Sequence, residues 1–333
     1  MMKNAIYFAI DDNYAFAAAN MLMGLHQYCG ELLKTCDIIL YHNGLSEKNA
    51  QLLAQLHPGI LLEPISFPDS WKEMTARNNV QKYNGMILCK FFGFRLIQTY
   101  DYALFLDADM LIRGDLSALF TLDTEMAWRK VIAWEPKKVF SPLLNKHNED
   151  ITAGNAGLLL YTSKLRKYAV DDVTIIDAFR KIQDLGNGGI DELVLAWIAY
   201  SNGMRVTELD MDVYNTPAYK ALDNTRLLHF LYWRKTTTKP WDNLAAYLYF
   251  DDWAENYQKW LALGGDGPVH YTKEDYYNLF AFEKSGEIMK KDKQIAKLEK
   301  RIETIIGSRG WKMVQFLRRI KDKLRKLLKC FKK

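Results

Sequence analysis

Asp107 and Asp109 interrupt an otherwise apolar run, YALFLDADMLI, over residues 102–112. Ionised carboxylates are costly to bury unless they are paired or bound to a metal. The run from Tyr102 to Leu106 predicts a strand, which would deliver both carboxylates to its carboxyl end. Alternate residues of an extended backbone point to one side. Asp107 and Asp109 would therefore reach toward one ion, with the Ala108 side chain pointing away. Oxygen ligands suit Mg²⁺ or Mn²⁺. Such an ion bridges substrate phosphates and acts as a Lewis acid on a departing phosphate. Asp-X-Asp also occurs on surface loops, and it is the apolar flanks that single this one out.

The elements around it must bring the carboxylates to a cleft. AIYFAID predicts a first strand, followed by a helix over NYAFAAANMLMGLHQYC. CDIILYHN predicts a second strand, and SEKNAQLLAQL a helix with Ser46 as its N-cap. GILLEPISF reads as a third strand and MILCKFFGFRLIQTY as a helix leading into the strand that ends at Asp107. Strands separated by helices mean a parallel sheet covered on both faces. Ligands of such sheets bind beyond the carboxyl ends of strands, near a topological switch point. Asp11, Asp107 and Asp109 would all lie at such ends. Further on, NAGLLLYTS reads as a strand, and DELVLAWIAYSNG as a helix stopped at Asn202-Gly203. The many Trp and Tyr residues after residue 130 read mostly as core, with some able to stack on sugar faces.

With 333 residues, 49% of them hydrophobic, the chain can build a sizeable core. No apolar run approaches the roughly 18 residues of a spanning helix. The N-terminus lacks a small-residue cleavage site and reads as a first strand, not a signal peptide. The four cysteines form no CxxC pair, so a disulfide framework is not expected and a reducing cytosol is the simplest compartment. From Arg309 on, eleven basic residues face Asp322 alone. That excess of ten is larger than the net charge of the whole chain, +5, so the rest is acidic. Three parts are expected: a globular domain over 1–275, a helical segment over 276–308, and a basic helix over 309–333. The middle part has Ile288, Ile295 and Ile302 at heptad spacing, with Leu298 and Ile305 at the complementary positions, the pattern of a short coiled coil and a route to a homodimer. In the last part Trp311, Val314, Leu317, Ile320, Leu324, Leu328 and Phe331 form one apolar face. A basic amphipathic helix suits an anionic membrane surface. Nucleic acid is not expected as a partner. The location expected is cytoplasmic, peripheral on the inner face of the cell membrane.

Five segments in order resemble glycosyltransferase family 8, which includes glycogenin and bacterial lipopolysaccharide glucosyl- and galactosyltransferases. They are AIYFAIDDNYAFAAANMLMGL, YALFLDADMLIRGDLSALF, NAGLLLYTSKL, GIDELVLAWI and HFLYWRKTTTKPW, spread over roughly residues 4 to 245. The resemblance implies an α/β GT-A nucleotide-sugar-binding fold, a mostly parallel sheet flanked by helices, here with a C-terminal helical tail. It implies retaining transfer of a hexose, glucose or galactose, from a UDP-sugar with Mn²⁺ or Mg²⁺. The acceptor expected is a lipid-linked or lipopolysaccharide or capsule glycan, because the basic tail favours a membrane. Carried over to this sequence, Ala9, Asp11 and Asn13 would hold the nucleoside. Lys90 would lie near the donor sugar and phosphates. Asp107 and Asp109 would bind the metal with His229, and the Asp107-Ala108-Asp109 segment would line the donor site. Asn155 and Gly157 would line the sugar pocket, Asp191 would bond donor-sugar hydroxyls, and Lys239 would contact the diphosphate.

Two departures stand out. Glu192 occupies the position where the family has Gln. A carboxylate there can form a glycosyl ester or stabilise oxocarbenium-like charge, and on a helix's first turn it is also favourable facing solvent. The family's compact His-X-X-Gly-X-X-Lys-Pro-Trp is longer here, with ten positions from His229 to Lys239 and no glycine. The longer loop is a departure at Lys239, and His270 is the rival ligand to His229. His26, His42, His57 and His147 read as surface or packing residues. Two alternative functions are a sugar-phosphate nucleotidyltransferase and a coiled-coil scaffold with a degenerate sugar-binding domain. The first would need a Gly-rich basic loop after the first strand, which IDDNYAF lacks.

Overall fold

The computed structural model describes residues 3–82, 85–132, 135–144, 151–183, 185, 190–233, 236–269, 271, 295, 297, 300 and 304. The chain divides into two compact units, Met1–Val269 and His270–Lys333. In the second, residues 295, 297, 300 and 304 are helical. The rest of the coiled-coil segment, the basic helix over 309–333, His147 and His270 lie outside the described residues.

The first unit is built on a sheet of seven strands. They are β1 (Asn4–Asp11), β2 (Cys36–Asn43), β3 (Leu61–Pro64), β4 (Tyr102–Leu106), β6 (Met126–Lys130), β7 (Gly154–Thr162) and β8 (Val206–Leu209), ordered β3-β2-β1-β4-β7-β6-β8. Strands β1 to β4 run parallel, β7 runs antiparallel to both β4 and β6, and β8 is parallel to β6. The sheet is thus mostly parallel, with one reversed strand. That reversal was not legible in the sequence, because β6 and β7 are neighbours that need no crossover helix.

Burial on both faces explains the near-continuous apolar strands. Ile6 and Phe8 of β1 pack on one side with Leu104, Leu106 and the helix Ala15–Tyr28. Ala5 and Tyr7 pack on the other with Phe105, Leu159 and the helix Ile190–Ser201. The two-residue period of each strand selects the side. Among the described aromatic residues of the C-terminal part, Trp253, Tyr257 and Trp260 are core, in one cluster with Phe16 and Leu25, whereas Tyr249 is exposed. Ser46 caps the helix Glu47–Leu56 by accepting from the Asn49 N–H. The segment expected as one helix before β4 is instead a 3-10 helix, Met86–Phe92, leading into a single α-turn, Gly93–Leu96. A Cβ on Gly93 would lie 2.3 Å from the Tyr161 ring, so this segment rests directly on β7.

Two features place the site. The chain leaves β1 toward β2 on one side and returns to β4 on the other, so the switch point lies between β1 and β4. Asp11 ends β1 and Asp107 follows β4. The apolar run beyond Asp109 does not continue β4. It forms β5 (Met110–Ile112) in a second sheet, ordered β5-β10-β9 with β9 (Thr216–Pro217) and β10 (Leu227–His229). Pairing of β10 with β5 sets His229 opposite Met110, one residue from Asp109.

Candidate active site

Each aspartate of the Asp-Ala-Asp turn is fixed through its own backbone, and its carboxylate is paired with a cation. The Asp107 N–H donates to the Gly157 carbonyl at 2.8 Å, and the Asp109 carbonyl accepts from the Phe230 N–H at 3.0 Å. Lys90 Nζ lies 2.8 Å from Asp191 Oδ2 and 3.3 Å from Asp107 Oδ1. Lys239 Nζ lies 2.9 Å from Asp109 Oδ2. His229 Nε2 lies 3.2 Å from Asp109 Oδ1 and 3.8 Å from Asp107 Oδ2.

The 3-10 segment aims Lys90 inward. Its carbonyl accepts from the Tyr7 and Tyr161 hydroxyls at 2.9 and 2.8 Å. These bonds fix the backbone while the side chain reaches the carboxylates. The ten-position spacing after His229 is taken up by a short hairpin, β11 (Tyr232–Trp233) against β12 (Thr236–Thr237). The chain returns beside its starting point, and the Thr238 N–H donates to the Leu231 carbonyl at 3.1 Å. Lys239 therefore reaches Asp109 despite the longer loop, with its ammonium near the Tyr14 and Trp241 rings.

The electrostatics follow from burial opposed by pairing. Burial alone would lower Lys90, but Asp107 and Asp191 outweigh it and hold the ammonium well above the ordinary lysine range. Burial would likewise raise Asp109, yet His229 and Lys239 hold its carboxyl below the usual range. Asp107 goes the other way: burial raises it, and Lys90 offsets only part of that. Asp107 is thus the carboxylate most in need of positive charge.

Among the described residues, Asp107, Asp109 and His229 form a group able to hold a metal ion, with ligand atoms within 4.8 Å of one another. The donor set fits a divalent cation. His229 Nδ1 lies 2.8 Å from Asn215 Oδ1, an acceptor, and a neutral ring with its proton on Nδ1 would leave Nε2 to ligate a metal. A hydrogen-bonded second partner of this kind is usual for a ligating imidazole. Two carboxylates with one imidazole suit Mn²⁺ or Mg²⁺.

The remaining candidates divide into two sets. Asn155 donates to Glu192 Oε1 at 2.9 Å, and the Ala156 N–H lies 3.4 Å from the same oxygen. Glu192 is therefore turned toward β7, not toward solvent. Gly157 is the close neighbour of His229: a Cβ there would lie 2.4 Å from its Cε1. Ala9 lies within β1, Asp11 ends it, and Asn13 is exposed in the 3-10 turn Asp12–Tyr14. Asp12, not singled out from sequence, accepts from the Ser46 N–H at 2.7 Å and from Asn49 Nδ2 at 2.8 Å. It ties the turn after β1 to the start of the helix Glu47–Leu56, which follows β2. Sequence reasoning also missed Asn215 and the buried Arg129, which lies on β6 opposite Asn155, at a bulge. The only sequence signal for Asn215 is an asparagine in a turn before Thr-Pro, which is weak. His42 accepts from the Leu45 N–H, and His26 and His57 face each other at the surface.

The profile of glycosyl transferase family 8 matches residues 5–172, about half of the chain. The chain belongs to glycosyl transferase family 8. The crystal structure of the galactosyltransferase LgtC, in complex with donor and acceptor sugar analogues, superposes on this glycosyltransferase with a TM-score of 0.59 at 15% identity, covering 81% of this chain and 98% of that one. An active-site mutant of LgtC with Gln changed to Glu gives a TM-score of 0.56 at 17% identity, over 75% and 95% of the two chains. The bifunctional glycosyltransferase WbbM gives 0.53 at 18% identity, over 77% of this chain and 49% of its own. These likenesses carry the fold, a GT-A fold like that of LgtC. No curated protein matches the chain in sequence.

Proposed function

We propose that this glycosyltransferase moves a hexose from a UDP-sugar to a lipid-linked, lipopolysaccharide or capsule glycan with retention of configuration, using Mn²⁺ or Mg²⁺. The observation that carries the reading is the meeting of Lys90, Asp107, Asp109, His229 and Lys239 at the switch point, with Asp191 bridged to the same lysine. Asp107, Asp109 and His229 hold the cation, which when bound supplies Lewis-acid stabilisation of the leaving diphosphate. Lys239 neutralises charge that develops on that diphosphate. Ala9, Asp11 and Asn13 hold the nucleoside, Lys90 and Asp191 orient the sugar hydroxyls, and Asn155 and Gly157 line the pocket. The basic segment from Arg309 brings the enzyme to an anionic membrane surface, where glycolipid acceptors are concentrated. No helix among the described residues is long and apolar enough to cross a membrane.

Retention is read directly by proton NMR during slow hydrolysis of a UDP-α-hexose. The α-anomer is expected to appear first, and β-anomer appearing first would overturn retention. We assign Glu192 the role of stabilising positive charge on the sugar. Its Oε1 is already engaged by Asn155 and Ala156, bonds that a Gln carbonyl also makes. Glu192→Gln is therefore expected to keep UDP release within about tenfold of wild type, and Glu192→Ala to lose more than that. Loss of about a thousandfold or more in Glu192→Gln would mark a nucleophile instead.

A further inference from the structure

Asn215 enters the site above only as the partner of His229 Nδ1, yet it sits at a junction. It is fully buried and precedes β9 with a φ of +53°, in the left-handed region. Asn tolerates that region better than most residues. Unfavourable backbone of this kind persists only where the surroundings over-determine it. The surroundings here are three hydrogen bonds of one amide, the longest from Nδ2 to the Asn155 backbone carbonyl at 3.4 Å. Asn215 Oδ1 accepts from His229 Nδ1 at 2.8 Å, and Asn215 Nδ2 donates to Asn155 Oδ1 at 2.9 Å. Asn155 Oδ1 also lies 3.3 Å from the Gly157 N–H, and Asn155 Nδ2 donates to Glu192 Oε1 at 2.9 Å.

The orientations along this chain are not independent. For Nε2 to ligate, His229 must carry its proton on Nδ1, so Asn215 must offer its oxygen. Its NH₂ group then faces Asn155, which must also offer oxygen. That leaves the Asn155 NH₂ group facing Glu192, which closes the chain as an acceptor. The chain runs one way, from the imidazole to the carboxylate. Each amide is locked because both of its ends are used, and buried networks satisfied in this manner rigidify their members.

We propose that Asn215 is a positioning residue that, through Asn155, sets the metal ligand His229 and the carboxylate Glu192 in register with one another. Its arm toward His229 stands on the geometry of a metal ligand, and its arm toward Glu192 rests on the transferase reading.

Two variants separate the arms. Asn215→Gly removes the amide and is at ease at positive φ. Asn215→Asp keeps an acceptor for His229 Nδ1–H but has no NH₂ group for Asn155. Mn²⁺ binding to the full chain is followed by calorimetry and by electron paramagnetic resonance, and UDP release by steady-state kinetics. Asn215→Gly is expected to weaken Mn²⁺ binding about 10- to 100-fold. Asn215→Asp is expected to keep Mn²⁺ affinity within about threefold of wild type. The same variant should lower kcat for UDP release about tenfold or more with little change in KM. A merely structural role would not divide affinity from kcat between the two variants. Wild-type Mn²⁺ affinity in Asn215→Gly, or equal loss of affinity in both variants, overturns the proposal. A wild-type chain that binds Mn²⁺ but releases no UDP from any donor overturns the transferase reading, and the affinity of Asn215→Gly still decides the arm toward His229.

Discussion

Gly157→Ala is expected to weaken divalent-cation binding about 100-fold or more. A Cβ at this position would lie 2.4 Å from His229 Cε1, 2.6 Å from Nδ1 and 2.8 Å from Met110 Cε. Contacts so short must be relieved, and the ring has little room to yield. It is 3% exposed and tied through Nδ1 to the buried Asn215. Moving the ring away from β7 breaks that bond or turns Nε2 off the aspartates. Gly157 does not need left-handed backbone, so the whole effect is steric. Overpacking should also cost about 1–3 kcal/mol of stability. Calorimetric titration with Mn²⁺, beside a thermal melt, separates the two effects. Wild-type affinity in a folded Gly157→Ala protein would mean that His229 is not a ligand.

Lys90→Met is expected to destabilise the fold by about 3–5 kcal/mol, measured by urea denaturation at neutral pH. The ammonium is the shared partner of Asp107 and Asp191, with side-chain exposure of only 8%. Its removal takes the shared cation from the buried Asp191 and the partly buried Asp107. The sign of the pH dependence follows from Lys90 being held above its ordinary value. Its contribution is fully present below the ordinary lysine pKa and is lost as pH rises past it toward the folded value. Neutral pH thus reads the whole effect. Added Mn²⁺ should restore part of the stability, because a cation at Asp107 replaces part of the missing charge. A variant as stable as wild type would mean that the two carboxylates are solvated or protonated in the folded chain.

Much of this site was legible because its residues end regular elements. Asp11, Asp107 and Asp109 follow apolar strands, and a parallel sheet carries its ligands at those ends. Asp107 and Asp109 do approach His229 together, but through the bend between β4 and β5 and not through the two-residue period of one extended strand. What was not legible depends on contacts between distant segments. The reversal of β7 leaves no mark in its apolar pattern. The run MILCKFF shows helical spacing but winds as a 3-10 helix, pinned by hydroxyls from Tyr7 and Tyr161 at the Lys90 carbonyl. The long spacing from His229 to Lys239 is absorbed by a hairpin that only the pairing of Tyr232 with Thr237 reveals. Asn215 acquires its place from a second sheet that sets β9 beside β10.

The central claim is that Asp107, Asp109 and His229 hold a cation on a nucleotide sugar. It is tested most directly by UDP release from UDP-glucose and UDP-galactose by the purified chain, with Mn²⁺ and with EDTA, alongside Asp109→Asn. The account predicts slow release from one donor, abolished by EDTA and by the variant. No release from either donor, together with no UDP binding by calorimetry, would contradict it.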